Sequence, residues 1–424
     1  MTENIPAAGW WLPGEKPPET GNDALKKALF AVTRPIVLVS KAGRPAVAVG
    51  GRVLLGGAAP DDAAAVPILA YVPPLHPGRL GDPDFRQENG LEYAYVAGAM
   101  ANGITSVEMV EAVGRAGMLG FFGAAGLSIE AVEQAIGRLQ ERMKGLPFGV
   151  NLIHSPSEPD HEAATVDLFL RKGVRLISAS AYLGLTLPLL RYRVKGLRRN
   201  EKGRVVCPNR LVAKVSRTEV AEKFLSPPPE KMLAKLLEQG RITPEEAHLA
   251  RTVPVADSIT AEADSGGHTD NRPALALLPT LMALRDRMLK THDYGRPIHV
   301  GLGGGIATPE STAAAFAMGA AYVLTGSVNQ ACLEAGTSDK VREMLAEARQ
   351  ADVAMAPAAD MFEMGVKVQV LKRGTMFALR AAKLYDLYTR HDRYEEIPAD
   401  QRALLEKDFF RSGFDEAWAS TRAF

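Results

Sequence analysis

Eight short apolar runs, separated mainly by helical patterns, constrain this chain more than any other feature. They are YVAGAM (95–100), MLGFFG (118–123), FGVNLI (148–153), VRLISAS (174–180), NRLVAKVS (209–216), SITAEAD (258–264), IHVGLGG (298–304) and AYVLTG (321–326). Helix signals fall between them. Ser128 precedes a stripe of Ile129, Val132, Ile136, Leu139 and Met143 at helical spacing. Thr105 and Glu108 read as a capping box, and Thr308-Pro309 as a cap with a first-turn proline. Repeated strand–helix units require a parallel sheet, because each crossover returns the chain to the same end. Eight of them favour closure into a TIM (β/α)₈ barrel, with an open doubly wound sheet as the runner-up.

The barrel is expected over residues 93–336. Residues 1–92 read as an N-terminal segment with a small β subdomain. Its first part is rich in Pro, Gly and Asn and reads as poorly ordered until Leu25, followed by a hairpin in RPIVLVSKAGRPAVAVGG. Val72 to Leu91 reads as loop. A helical pair at about 225–255, with Thr243-Pro244-Glu245-Glu246 as cap, interrupts the barrel after its fifth strand. That position makes it either a lid over the mouth or a decoration. Residues 337–424 read as a helical extension packing on the barrel or on a partner subunit.

Lys plus Arg total 50 and Asp plus Glu 49, a net charge of +1 that gives no reason to expect a nucleic-acid surface. The longest apolar-looking run, Ser311 to Thr325, is broken by a glycine, so no membrane span is expected. No basic region followed by an apolar core opens the sequence, and a cytoplasmic protein is the expectation. Two cysteines, Cys207 and Cys332, exclude a disulfide framework or a Cys-rich metal site.

Glycine-rich turns end the last two strands: Gly303-Gly304-Gly305 before the Thr308 cap, and Thr325-Gly326-Ser327. Such turns let a phosphate approach main-chain N–H groups, and barrels often hold phosphate after strands seven and eight. The alternative is two plain turns. At the end of strand six stands EADSGGHTDNRP, where Gly266 and Gly267 admit a flat ligand against the backbone. His268 then becomes a candidate proton donor or acceptor. A solvated surface histidine is the competing reading. A metal site from Glu262, Asp264, His268 and Asp270 is disfavoured, since strand neighbours alternate faces. Lys214 lies inside an apolar strand and needs an anionic partner, either a ligand or an internal salt bridge. Asn151 likewise needs a cofactor edge or a neighbouring strand end. RYRVKGLRRNEKGR (191–204) carries seven basic residues against one acid, usually a solvated loop. It could also dock an acidic carrier protein, in which case neutralising Arg198 and Arg199 would weaken carrier-bound substrates alone.

The runs YVAGAMANGI, GMLGFFGAAGL, GVNLIHSP, AKVSRTEVA, ADSITAEADSGGHTDNRP, GGGIATPE, AAYVLTGSVNQAC and APAADMFEMG resemble the PfaD family. These are the stand-alone, trans-acting enoyl reductases of polyunsaturated fatty acid and polyketide synthases. They form a branch of the group that holds nitronate monooxygenases and FMN-dependent enoyl-carrier-protein reductases. The resemblance implies FMN at the C-terminal face of a TIM barrel and NADPH as hydride donor. It further implies delivery of the hydride to an enoyl thioester, with His268 or water as acid. Gly98, Ala99 and Met100 would support the flavin ring, and Asn151 and Lys214 its polar edge. Gly266 and Gly267 would line the cofactor, and Gly304, Gly305, Gly326 and Ser327 would hold its phosphate. Implied partners are an acyl carrier protein and other components of the synthase, with a homodimer as a possible assembly. Oxygen-using oxidation of nitronates and a non-catalytic flavin-binding role in the synthase are the alternatives. The Thr-Gly-Ser-Val-Asn-Gln run departs from the wider group, which usually has an Arg just after the Gly-Thr of strand eight.

Overall fold

All eight apolar runs fold as strands. In the computed structural model, which describes residues 8–423 apart from Ser157, His268 and Asp360, they form one closed parallel barrel. The strands are β1 (Tyr95–Ala97), β2 (Leu119–Phe122), β3 (Gly149–Ile153), β4 (Leu176–Ser180), β5 (Arg210–Val215), β6 (Ser258–Glu262), β7 (His299–Gly303) and β8 (Val323–Thr325). Each pairs with its sequence neighbours, and closure comes from β8 on β1, with Leu324 opposite Val96. The open-sheet alternative is thereby removed.

The chain divides into two compact units, up to Leu80 and from Gly81 onward, so the expected boundary at 92 lies inside the second. The first unit is a six-stranded antiparallel sheet around Trp11, Val39, Ala46 and Ile68. It contains the expected hairpin, Ile36–Lys41 with Arg44–Val47. It also orders residues whose composition suggests poor structure. Gly9–Leu12 is a strand paired on both edges, and Asn22–Phe30 is a helix. The Pro- and Gly-rich flanks hide a strand whose packing residue is the fully buried Trp11.

A second correction falls at 72–91. Asp82 accepts hydrogen bonds from the N–H groups of Asp84 and Phe85 and opens the helix Pro83–Asn89, which Gly90 ends in a left-handed conformation. Phe85 stacks on Tyr322 at 4.3 Å between ring centroids, and the Tyr322 and Thr260 hydroxyls hydrogen-bond at 2.8 Å. Gly301 makes room for that ring, because a Cβ there would lie 2.3 Å from it. These aromatic rings fill the interior at the N-terminal end of the barrel.

The 225–255 insertion is a helical pair, Glu230–Glu238 and Pro244–Ala250, with the Thr243–Glu246 capping box formed. The lid reading is corrected. The helix Thr218–Leu225 intervenes after β5 and carries the chain back toward the N-terminal strand ends before the insertion begins. Glu246 accepts from the Gly196 N–H at 2.7 Å, and Arg193 donates to the Pro254 carbonyl at 3.0 Å. Both contacts lie near the starts of β5 and β6. The basic run 191–204 sits at this same end. Arg191 pairs with Asp167, Lys195 with Glu246, and Arg193 is wholly buried, leaving Arg198, Arg199, Lys202 and Arg204 exposed along a short ribbon. That ribbon is therefore poorly placed to deliver a carrier-bound substrate to the mouth at the opposite end.

The C-terminal extension is helical, as expected, except for an unforeseen antiparallel pair, Val353–Pro357 with Lys367–Leu371. It packs on the barrel through Gln369, which donates to Asp264 at 2.6 Å. The segment leading into it is held to the loop after β1, with the Gly336 N–H on the Ile104 carbonyl at 2.9 Å and the Ser106 hydroxyl on that of Glu334 at 2.5 Å. No helix among the described residues is long and apolar enough to cross a membrane.

Arg193 locks the lower end through a bidentate pair with Asp257, at 2.7 and 3.1 Å. The Arg296 guanidinium (2.5 Å) and the Leu211 N–H (2.8 Å) complete the carboxylate's partners. Burial pushes the Asp257 carboxyl up, but Arg193 and Arg296 outweigh it and hold the group below its ordinary range. Its contribution is thus present at neutral pH and lost as pH falls through the lowered folded value. Asp257→Asn should strand the buried guanidinium and cost about 3–5 kcal/mol. Urea denaturation at pH 7 checks this; a loss below about 1 kcal/mol would contradict a buried, mutually dependent pair.

Candidate active site

Every second residue of a barrel strand faces inward. Val96, Leu119, Phe121, Leu176, Val212 and Leu324 form the inner apolar layer. One step toward the C-terminal ends, the same faces carry Gly98, Asn151, Ser178, Lys214 and Glu262, with Ser180 one step further. The interior thus changes from apolar to polar at the mouth.

Lys214 Nζ lies 2.7 Å from Glu262 Oε1, the side chains being 12% and 8% exposed. Of the two anionic partners the sequence allows for Lys214, the structure forms the internal salt bridge. Asn151 also finds a neighbour, its Oδ1 accepting from Ser180 Oγ at 2.8 Å. Ser178 does not. Its fully buried Oγ has no hydrogen-bond partner among the described residues. A buried orphan hydroxyl costs about 1–3 kcal/mol, so the inner wall of the mouth holds an unmatched polar group.

The loop after β1 is fixed by Thr105, which by its spacing reads as a helix cap. The helix instead spans Val107–Arg115 and is capped by Ser106, whose hydroxyl accepts from the Met109 N–H at 3.0 Å. Thr105, freed and buried, donates to the Gly98 carbonyl (2.8 Å) and accepts from the Met100 N–H (2.9 Å). Gly98–Met100 are thereby held in one shape, with the Gly98 N–H on the Thr325 carbonyl at 2.8 Å. A Cβ at Gly98 would lie 2.6 Å from Leu324.

After β6, Gly267 stands directly over Glu262, since an added Cβ would come within 3.0 Å of Oε1. Thr269 Oγ1 donates to the Glu262 carbonyl at 2.7 Å. Asp270 accepts from Ser216 Oγ (2.7 Å) and bidentately from Arg217 (2.7 and 2.8 Å), tying this loop to the one after β5. The Arg217 hydrogen bond is the main reason its carboxyl is pulled down to about 2. Gln369 of the C-terminal extension donates to Asp264 at 2.6 Å, so the tail reaches this rim. His268 lies outside the described residues.

The last two turns divide their residues. Gly303 is buried against Thr260, and the Thr325 hydroxyl donates to Tyr95 (2.6 Å) and accepts from Asn329 (3.0 Å). Both belong to the wall. The Thr325 hydroxyl is thus engaged with Tyr95 and Asn329, outside the barrel. Gly304, with φ +91°, lets the loop touch Ala263 and Asp264, whose main-chain atoms would lie within 2.8 Å of a Cβ. Gly305, at φ +72°, has nothing within 4 Å, and Gly326 meets only Met100 Cγ at 3.9 Å. The nearest neighbour of Gly266 is the Ser327 hydroxyl, 3.1 Å from an added Cβ. The helix Pro309–Ala317 begins just beyond, capped by Thr308.

One cluster escapes the sequence. Glu162 is buried and accepts from Tyr182 (2.8 Å) and Thr186, while His154 Nδ1 lies 3.3 Å away. Burial first, then Glu162, pushes the Tyr182 hydroxyl well above its usual range. These residues come from two successive strand–helix units and share no motif.

The nitronate monooxygenase family matches residues 89–387 of this chain. Polyketide biosynthesis protein PksE of Bacillus subtilis (strain 168) is 50% identical over 340 residues, 80% of this chain and 44% of that protein. One of the polyunsaturated fatty acid synthase subunits of Thraustochytrium sp. is 48% identical over 355 residues, 83% of this chain and 24% of its own length. This chain therefore spans less than half of each of these two relatives. Among solved structures, the enoyl reductase domain of MlnA from the macrolactin cluster of Bacillus amyloliquefaciens superposes with a TM-score of 0.78. It is 45% identical, over 81% of this chain and 78% of that one.

Ser178→Ala should leave the ligand-free protein as stable as before or raise its stability by up to about 1 kcal/mol, because an unpaired hydroxyl is removed. Thermal unfolding without ligand checks this. A drop of several degrees in Tm would mean that the hydroxyl already has a partner.

Proposed function

This chain belongs to the nitronate monooxygenase family, and from that premise we propose that it is an FMN-dependent enoyl reductase using NADPH. Its substrates would be enoyl thioesters carried by an acyl carrier protein in a polyketide or polyunsaturated fatty acid synthase. The names of the two biosynthetic relatives and the 45% identity to an enoyl reductase domain support this reading.

One observation carries the cofactor. The orphaned Ser178 hydroxyl and the open turns at Gly305 and Gly326 lie at the same, C-terminal end of the barrel. Main-chain N–H groups flanked by space fit a phosphate, and an unpaired buried hydroxyl fits a polar ring edge. FMN, when bound, supplies the hydride relay between NADPH and the thioester. The chain's own residues do the rest. Gly305, Gly326 and Ser327 hold the phosphate. Gly98, Ala99 and Met100, braced by Thr105, back the ring, while Gly266 and Gly267 keep a flat surface clear beside it. Asn151, Ser178 and Lys214 face its polar edge. His268 gives a proton to the substrate α-carbon.

Nitronate oxidation is the second reading, favoured by the description of the matching family. Stopped-flow reoxidation of the reduced protein separates the two. Crotonyl thioester should restore the oxidised spectrum without oxygen, and dependence on nitronate plus oxygen would favour the alternative. His268→Ala should retain FMN and slow enoyl reduction by about 10²–10⁴-fold; unchanged turnover removes it as the acid.

Gly326→Val would fill the open turn with a branched side chain. FMN affinity should fall at least tenfold, read by flavin fluorescence, with the circular dichroism of the fold unchanged. Wild-type protein that takes up no FMN in excess would overturn the cofactor assignment.

A further inference from the structure

We propose that Glu262 is a positioning residue for the bound cofactor, holding and neutralising Lys214 so that the ring edge faces an ion pair instead of a bare ammonium. The inference rests on the FMN reading and deepens it. Sequence alone offers Lys214 as the charge that meets the ring; the structure adds a carboxylate within 2.7 Å.

Three contacts make Glu262 more than a convenient counter-ion. It sits on β6, beside β5, and alternation turns both side chains into the interior, where neither is well solvated. An added Cβ at Gly267 would lie 3.0 Å from its Oε1, so the carboxylate lies directly under the paired glycines that line the cofactor site. Thr269 Oγ1 bonds its main-chain carbonyl at 2.7 Å, linking it to the far side of the same loop. The other acids of the loop are engaged elsewhere: Asp264 accepts from Gln369, and Asp270 from Ser216 and Arg217. Glu262 is thus the loop's acid that meets Lys214.

Reduction adds negative charge to the polar edge of a flavin ring. A lone ammonium there would stabilise the reduced form strongly, whereas a neutralised one stabilises it less, because the two charges oppose each other at the ring. Glu262 therefore lowers the reduction potential of the bound cofactor relative to a site with Lys214 alone. A lower potential makes the reduced flavin the stronger hydride donor.

The test is the midpoint potential of FMN on the full chain, measured by anaerobic equilibration with reference dyes. Glu262→Gln should shift it positive and Lys214→Met negative, with the double variant returning close to wild type. A purely structural role predicts something else, since each single variant would lose stability for want of its partner, with no opposed signs in the potential. FMN bound to all four proteins with unshifted potentials, or with both single variants shifted the same way, overturns the proposal while leaving the cofactor reading intact. Failure of wild type to take up FMN overturns both. Should Glu262→Gln not fold, the double variant compared with Lys214→Met still decides the matter: it should lie positive of Lys214→Met because the unpaired carboxylate is gone, and equal potentials overturn the proposal.

Discussion

A closed cylinder of eight parallel strands has an interior only a few side chains across, and only alternate residues of each strand point into it. That restriction governs everything else in the second unit. Phe85 and Tyr322 fill the lower end, and Gly301 exists as a glycine because the Tyr322 ring occupies the space a side chain would need. Val96, Leu119, Phe121, Leu176, Val212 and Leu324 fill the middle. A polar side chain in either layer loses its water and must find a partner, as Thr260 does with Tyr322 and His299 with Glu88. At the C-terminal mouth Lys214 pairs with Glu262 and Asn151 with Ser180, leaving Ser178 over.

Glycines at the mouth serve two purposes that sequence cannot separate. Gly98, Gly123, Gly304 and Gly336 let one stretch of chain touch another. A Cβ at Gly123 would lie 1.7 Å from the Met100 carbonyl oxygen, and one at Gly336 2.0 Å from that of Gly103. Gly305 and Gly326 instead border open space. Substituting the first kind displaces the loops, whereas substituting the second fills a volume the protein itself does not use. Only the second kind points to a ligand, and both members stand in the turns that follow the last two strands.

The period-two strands and capped helices make the barrel legible, because a buried parallel strand has no other way to hide its apolar residues. Legibility ends where a residue's role depends on a distant partner. Trp11 packs a sheet whose strands are far apart in sequence, so its Pro- and Gly-rich surroundings read as disorder. Phe85 reads as loop until Tyr322 lies beneath it. Thr105 is a plausible cap by spacing, yet Ser106 takes that place and Thr105 braces the Gly98–Met100 loop. Lys214 is visible as an anomaly in an apolar strand, but its partner Glu262 sits 48 positions on and is legible only as a disfavoured metal ligand.

The insertion shows why position along the chain is not position on the barrel. Residues directly after a strand lie at the mouth, but residues after the following helix lie at the other end. The eight-residue helix Thr218–Leu225 is enough to change one into the other. It carries the 225–255 pair to the end where Arg193 and Asp257 are locked together, along with the basic ribbon. What stands at the mouth is the C-terminal extension, seated on Asp264 through Gln369, with the segment that leads into it held on Ile104 through Gly336. The two contacts fall on the loops after β1 and β6, on either side of the β7 and β8 turns. The segment that carries no candidate catalytic residue thus borders the opening, and the insertion that reads as either a lid or a decoration braces the opposite end.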